Sequence, residues 1–269
     1  MNFRPALLAT AALAAAFGTF LIHSRLGAGG NRDLWAITQG VQRGEELEGH
    51  LANLRHRNEG KRALAAEVIA GRVSLGEAAG YFRGLDESDP GFVAHVQLPP
   101  RDESFYSEQV LDHVWEILAK REVFAAAARQ YSEAFAADPD LLASPPARHR
   151  YLAACAAARA GCGQGRDAAD LDEAGRDGWR RQALDWLRAE LEARLRLLER
   201  GPQAARNTIT RDLEHWLEVP HFAKVRGPDA LGRLPVGERQ AWQQLWADVA
   251  ETLARAEGKA APEKQPAKQ

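Results

Sequence analysis

The sequence predicts an all-α protein: an N-terminal membrane helix, then helical hairpins, then a stack of helix pairs. Three observations lead there. Apolar residues recur at three- and four-residue spacing along most of the chain, the period of an amphipathic helix. β-Branched residues are scattered rather than alternating, so no segment carries the two-residue period of a strand. Gly, Pro and capping residues cut the periodic stretches into helix-length pieces. The composition agrees. At 269 residues, 45% hydrophobic and 27% charged, the chain holds one or two domains of ~150 residues, and wholesale disorder is excluded. With 35 basic and 37 acidic residues the net charge is -2, which argues against nucleic-acid binding through bulk positive charge. Two cysteines exclude a disulfide framework and a four-cysteine zinc site. One Met and 7% aromatics argue against a Met-rich recognition groove.

Met1 to Arg4 is short and basic, and after Pro5 an uncharged run extends from Ala6 to Ile22, ending at His23 and Arg25. A membrane-crossing helix needs about 20 apolar residues, with a range near 17–25, and this Ala-rich run reaches the low end. An uncleaved anchor, a cleaved signal segment and a buried Ala-rich helix all remain open. The terminal position and basic flanks favour targeting, and the length favours an anchor over 1–30. Leu26-Gly27-Ala28 and Ala28-Gly29-Gly30 are poor cleavage sites, and cleavage would make the protein secreted. Arg4 on one side faces Arg25 and Arg32 on the other, so the side of the membrane stays open.

Residues 31–100 form a small helical segment. Leu34, Ile37 and Val41 begin an apolar stripe that Gly40 and Gly44 weaken, each by about 1 kcal/mol relative to Ala. Leu47, Leu51 and Leu54 follow at four-three spacing, and Asn58, Ala65 and Val68 continue the register, with Lys61 breaking it. Fewer than about three clean heptads favour an ordinary amphipathic helix over a coiled coil. Ser74 and Glu77 form a capping box that opens a helix with Leu75, Ala78, Ala79, Phe82 and Leu85 on one face. The pair is a packing hairpin, since Glu77 and few basic residues suit a helix-turn-helix badly. Leu98-Pro99-Pro100 marks a linker.

Residues 101–256 are the main helical domain. Val110, Leu111, Val114, Trp115, Ile117 and Leu118 give one broad apolar face, with a break near Lys120-Arg121 before Phe124 to Ala137. Ala127, Tyr131, Ala134 and Pro139 then alternate small, large, small and terminating residues. Small residues let antiparallel helices approach, the large one fills the gap between pairs, and Pro ends the helix. This is the second-helix half of a tetratricopeptide repeat, whose unit of ~34 residues carries A-x3-F and a late Pro. Tyr151, Ala154, Cys155 and Ala158 have first-helix spacing, and Arg181 to Leu198 is the partner helix. An insertion from Gly161 to Gly178 makes the repeat degenerate. Leu213 and Trp216 mark a shorter helix, and Trp242, Leu245, Trp246, Val249 and Leu253 make a closing stripe, which a solenoid end requires. Residues 257–269 read as a disordered tail.

Several blocks recur together in order: Arg129-Gln130-Tyr131-Ser132-Glu133-Ala134-Phe135, His149-Arg150-Tyr151 with its alanine run, Gly161-Cys162-Gly163-Gln164-Gly165, Arg180-Arg181-Gln182-Ala183-Leu184-Asp185-Trp186-Leu187-Arg188, and Trp242-Gln243-Gln244-Leu245-Trp246. Residues 124–256 thereby resemble the tetratricopeptide-like C-terminal region of planctomycete-type bacterial serine/threonine protein kinases. The resemblance implies a helical protein-interaction module. It does not extend to catalysis, because the sequence has no Gly-rich phosphate loop, β3-type Lys, His-Arg-Asp loop or Asp-Phe-Gly.

Chemical signals are sparse. Gly161-Cys162-Gly163-Gln164-Gly165 follows a helix, not a strand, so a turn is expected rather than a phosphate loop. The eight histidines show no metal spacing. Asp167, Asp170, Asp172 and Glu173 lack an EF-hand pattern and read as a solvated loop, with Arg176, Arg180, Arg181 and Arg188 near enough to pair with them. The expectation is a noncatalytic, membrane-anchored interaction scaffold with a protein partner and no cofactor or metal. Arg180, Arg181, Trp186 and Arg188 are the expected binding residues. The alternative is an enzyme or small-ligand binder with a site in the 161–178 insertion or at the junction of the two segments.

Overall fold

The computed structural model describes residues 30–88, 102–142 and 148–258, with backbone alone at 30–38 and 46. The described chain is all-α, with no strand among the described residues. The expected anchor over 1–30 but for Gly30, the linker Leu98-Pro99-Pro100, and the expected tail 257–269 beyond Gly258 lie outside them. No described helix is long and apolar enough to cross a membrane.

The chain divides into two units, 1–57 and 58–269. The described part of the first is the N-terminal length of α1 (Gly30–Ile69), which continues without a break through Gly40 and Gly44. There Val41, Leu47 and Leu51 are solvent-exposed.

The second unit begins with the end of α1 and α2 (Leu75–Glu87). The capping box forms as the sequence predicts: Ser74 Oγ accepts from the Glu77 amide, and the Ser74 amide donates to Glu77 Oε2 at 2.9 Å. Lys61, which interrupts the apolar register on paper, is only 6% exposed. Its Nζ lies 2.8 Å from Asp86 Oδ1 of α2, donates to Gln109 at 2.8 Å, and sits over the Phe82 ring. The charge is tolerated inside because an opposite charge and a ring meet it there.

α3 (Glu103–Lys120) starts at Asp102, whose carboxylate accepts the Phe105 amide at 2.9 Å. It packs on α2, and one cluster of buried side chains runs from Ala65 of α1 to Ala256. Glu122, at φ 55, turns the chain into α4 (Phe124–Ala137), and Pro139 then opens a short 3-10 turn. Ala127, Tyr131 and Ala134 of α4 are buried, Tyr131 lying between Trp115 of α3 and His149 of α5 (Arg148–Gly161), and α4 packs closely on α5. α5 is the central element. Ala153 to Ala158 are all inaccessible, the pattern of a helix apolar on every side and covered on every side.

α6 (Glu173–Arg200) begins earlier than the sequence reading places it, at Glu173 rather than Arg181. Asp172 supplies the missed start signal by accepting the Gly175 amide at 2.8 Å, and Gly175 and Gly178 are absorbed into the helix. α5 and α6 touch closely at Gly161. A Cβ there would lie 2.6 Å from Arg180 Cγ, 2.7 Å from the Arg176 carbonyl and 2.8 Å from the Arg180 amide nitrogen.

In the connection between them Asp170, Asp172 and Glu173 are exposed to solvent, as the sequence predicts, but Asp167 and its neighbours dock on the start of α4. The Arg166 amide donates to the Glu122 carbonyl at 2.7 Å, and Asp167 Oδ2 accepts the Ala126 amide at 2.8 Å. Asp167 thus caps α4, whose own N-cap residue, Val123, has no side-chain acceptor. Gly165 makes this docking possible: φ is 104°, and a Cβ would strike Phe124 and the Glu122 carbonyl within 2.8 Å.

α7 (Gln203–Glu218), a 3-10 segment Pro220–Val225, the single turn α8 (Pro228–Leu231) and α9 (Val236–Ala256) complete the fold. Tyr151 of α5 stacks on Trp216 of α7 at 5.5 Å, Trp242 and Trp246 of α9 stack on each other, and Trp246 Nε1 donates to the Val225 carbonyl at 2.7 Å. α9 packs on both α6 and α7. Between α5, α6 and α7 lies a buried charge network. Glu190, fully inaccessible, accepts from Arg150 at 3.0 Å and from Arg194, and Arg194 also reaches Asp212 at 3.1 Å beside the Trp216 ring.

Candidate functional site

The N-terminal half of α6 and the start of α9 face each other across a groove of about 650 Å³. The helical repeat puts Asp177, Arg181, Leu184 and Arg188 along one wall, because residues three and four apart share a face. Gly237, Glu238 and Ala241 form the other. Leu184 is buried and Ala241 half-buried, giving an apolar floor between charged rims.

Arg180 sets the geometry. It is 5% exposed, and three elements hold its guanidinium. Nε donates to Glu238 Oε1 of α9 at 2.6 Å, Nη1 to the Gly161 carbonyl of α5 at 2.8 Å, and Nη2 to Glu173 Oε1 at 3.0 Å. Burial opposes its charge, but Glu238 and Glu173 outweigh that and hold its pKa above the ordinary value. Arg181 and Arg188 are the exposed cations. Arg181 pairs with Asp177 at 2.8 Å, and Arg188 reaches the Ala241 carbonyl at 3.4 Å.

Three of the four sequence-predicted residues, Arg180, Arg181 and Arg188, therefore come together. Trp186 does not join them. It is 8% exposed and packs edge-on against Phe135 of α4, with ring centroids 5.7 Å apart. Of the other tryptophans, Trp216, Trp242 and Trp246 are also buried.

On the far side of Arg180 lies a second recess of about 500 Å³, bordered by Cys162, Arg176, Lys224, Asp229 and Arg233. Burial pushes the Cys162 thiol up to about 11, against the pull of Arg180, so it is a thiol and not a thiolate at neutral pH. Cys155, inside α5, is pushed up to about 12 by its burial. The sequence reading missed Glu238 and Lys224. Both lie far along the chain from α6, and no spacing rule joins them to it.

The groove lining contains no His, Ser, Thr or Cys. Among the described residues, no group of three His, Cys, Asp or Glu side chains is placed to hold a metal ion. The groove offers guanidinium donors, carboxylate acceptors and a narrow apolar strip, the chemistry that meets a peptide backbone and its side chains. No family model, curated protein or solved structure matches the chain.

Proposed function

We propose that the protein is a noncatalytic, membrane-anchored interaction scaffold, tethered by the 6–22 run and presenting a tetratricopeptide-like helical surface to a protein partner. The observation that carries the reading is the Arg180 clamp. One buried guanidinium ties α5, α6 and α9 into a single arrangement, so the groove between α6 and α9 exists before any ligand arrives. A rigid groove binds with less ordering cost than a mobile one. Arg181 and Arg188, two turns apart on its rim, supply charge-assisted hydrogen bonds to a partner segment lying along the Leu184 floor.

The test is in-cell crosslinking and pull-down of the full chain, of a 31–269 control, and of the Arg181→Glu/Arg188→Glu double variant. Both arginines are exposed, so the variant is expected to fold, which its circular dichroism checks. A partner recovered with the wild-type chain and lost at least tenfold with the variant supports the groove. Equal recovery by both chains refutes it. The Cys162 recess favours a second reading, a site for a small anionic ligand between Arg176, Lys224 and Arg233. Thermal shift against a panel of phosphates and dicarboxylates separates the two readings.

A further inference from the structure

The N-terminal length of α1 carries an apolar seam. Counting from Leu47 at four-three spacing, Leu47, Leu51 and Leu54 fall on one helical face, and Gly40 and Gly44 precede them on the same face. Leu47 is 59% exposed and Leu51 49%, and Val41 beside them is 55% exposed. These are three of the five large hydrophobic side chains recorded as exposed in the described structure, gathered on one stretch of one helix. A Cβ at Gly40 or Gly44 would meet nothing within 4 Å. Each glycine costs an exposed helix interior about 1 kcal/mol relative to Ala, so their place on the leucine face suits close approach by another helix.

We infer that this face is a parallel homodimer seam, its occupant the same stretch of a second copy. The seam is self-complementary. With Leu47 and Leu54 at d positions and Leu51 at a, Arg43 falls at g and Glu48 at the e position of the next heptad, where g and e′ side chains meet across a parallel pair. Two Arg43–Glu48 pairs, one on each side, flank the leucines. The following g–e′ pair, His50 with Arg55, adds no attraction, so affinity rests on the three leucines. Residues 40–54 make about two heptads and span about 21 Å, which places the interface at the small, reversible end of the size range.

Sedimentation of the full chain in detergent tests this, at concentrations up to about 200 μM, where such an interface is still populated. The wild-type chain is expected to dimerise reversibly. The Leu47→Glu/Leu51→Glu variant, altered outside the core that begins at Ala65, is expected to keep its helical content and to weaken association at least tenfold. Oxidation adds a register check. Leu51→Cys on the seam should crosslink to its own copy, while Gly49→Cys on the outer face and the wild-type chain, with buried Cys155 and half-buried Cys162, should not. A wild-type monomer throughout this range overturns the inference. So does association unchanged in the double glutamate variant, which would place self-association elsewhere in the chain, or equal crosslinking at positions 49 and 51.

Discussion

Replacing Glu190 by Gln keeps its shape and removes one charge from the network joining α5, α6 and α7. In the native chain Glu190 is fully inaccessible and lies between Arg150, its side chain 9% exposed, and Arg194, 6% exposed. The variant leaves two buried guanidinium groups sharing one amide. Arg194 keeps the Asp212 carboxylate at 3.1 Å, but Arg150 loses the carboxylate it pairs with and keeps the Ala189 carbonyl at 3.4 Å and a share of the amide oxygen. Removing one member of a buried ion network costs about 3–5 kcal/mol. The surviving Arg194–Asp212 pair places the expected value at the lower end, about 3 kcal/mol. For a protein of this size about 3 kcal/mol lowers Tm by roughly 6–12 °C. The assay is urea and thermal unfolding followed by circular dichroism and Trp fluorescence. Trp216, 4.9 Å from the Arg194 guanidinium, reports directly on the network. Glu116→Gln is the control: its bridge to Arg62 is solvent-exposed on both sides and should cost at most about 1 kcal/mol. If Glu190→Gln costs no more than Glu116→Gln, the desolvation argument fails. The triple replacement of Arg150, Glu190 and Arg194 by apolar residues of similar volume is expected to recover most of the loss.

Other substitutions separate packing from composition. Asp167→Ala is expected to destabilise by about 0.5–2 kcal/mol through loss of the α4 cap, while the exposed Asp170→Ala stays within about 0.5 kcal/mol, and equal effects would return the loop to the solvated state. Gly161→Ala should cost about 1–3 kcal/mol despite the helix propensity it gains, because two of the three atoms its Cβ meets belong to the α6 backbone. Gly178→Ala, with open space around it, should stabilise by up to about 1 kcal/mol, and a reversed order in thermal melts would contradict the close approach. Burial holds the His149 pKa below its ordinary 6.5, with Asp112 raising it and Arg148 lowering it further. The folded state therefore binds that proton less readily than the unfolded one. Stability is fully present above pH 6.5 and falls as pH drops below it, levelling only under the folded-state value. His149→Gln should flatten part of that slope in urea titrations, leaving the same-signed contribution of His221.

Periodicity made the helices legible because burial of one face is a local pattern. The capping box at Ser74 and Glu77, the small–large–small face of α4 and the tryptophan stripe of α9 were all readable in that way. What escaped was chemistry between distant residues. Lys61 read as a break in a stripe because Asp86 is twenty-five residues away, and its burial makes sense only once the two meet. Arg150 lies in an alanine-rich helix, and nothing nearby in the sequence names Glu190 as its partner. The start of α6 was placed late because Gly175 and Gly178 look like breakers, while the Asp172 cap that outweighs them is one residue in an acidic run. Of the groove, the α6 side was visible as a cluster of arginines. Glu238, which turns Arg180 from a surface cation into a clamp, was not. Trp186 was chosen for residue type, and the α4 face that covers it decides otherwise.

The latch at Asp167 also ties the kinetics of two remote segments together. The Ala126 amide gives its proton to a carboxylate forty-one residues away, so it exchanges with solvent only when the α5–α6 connection lets go or the whole domain opens. A change made at Gly165 or Asp167 would then be felt as faster exchange at the first turn of α4. A protease that samples the connection would meet a segment closed by the same equilibrium that holds that turn.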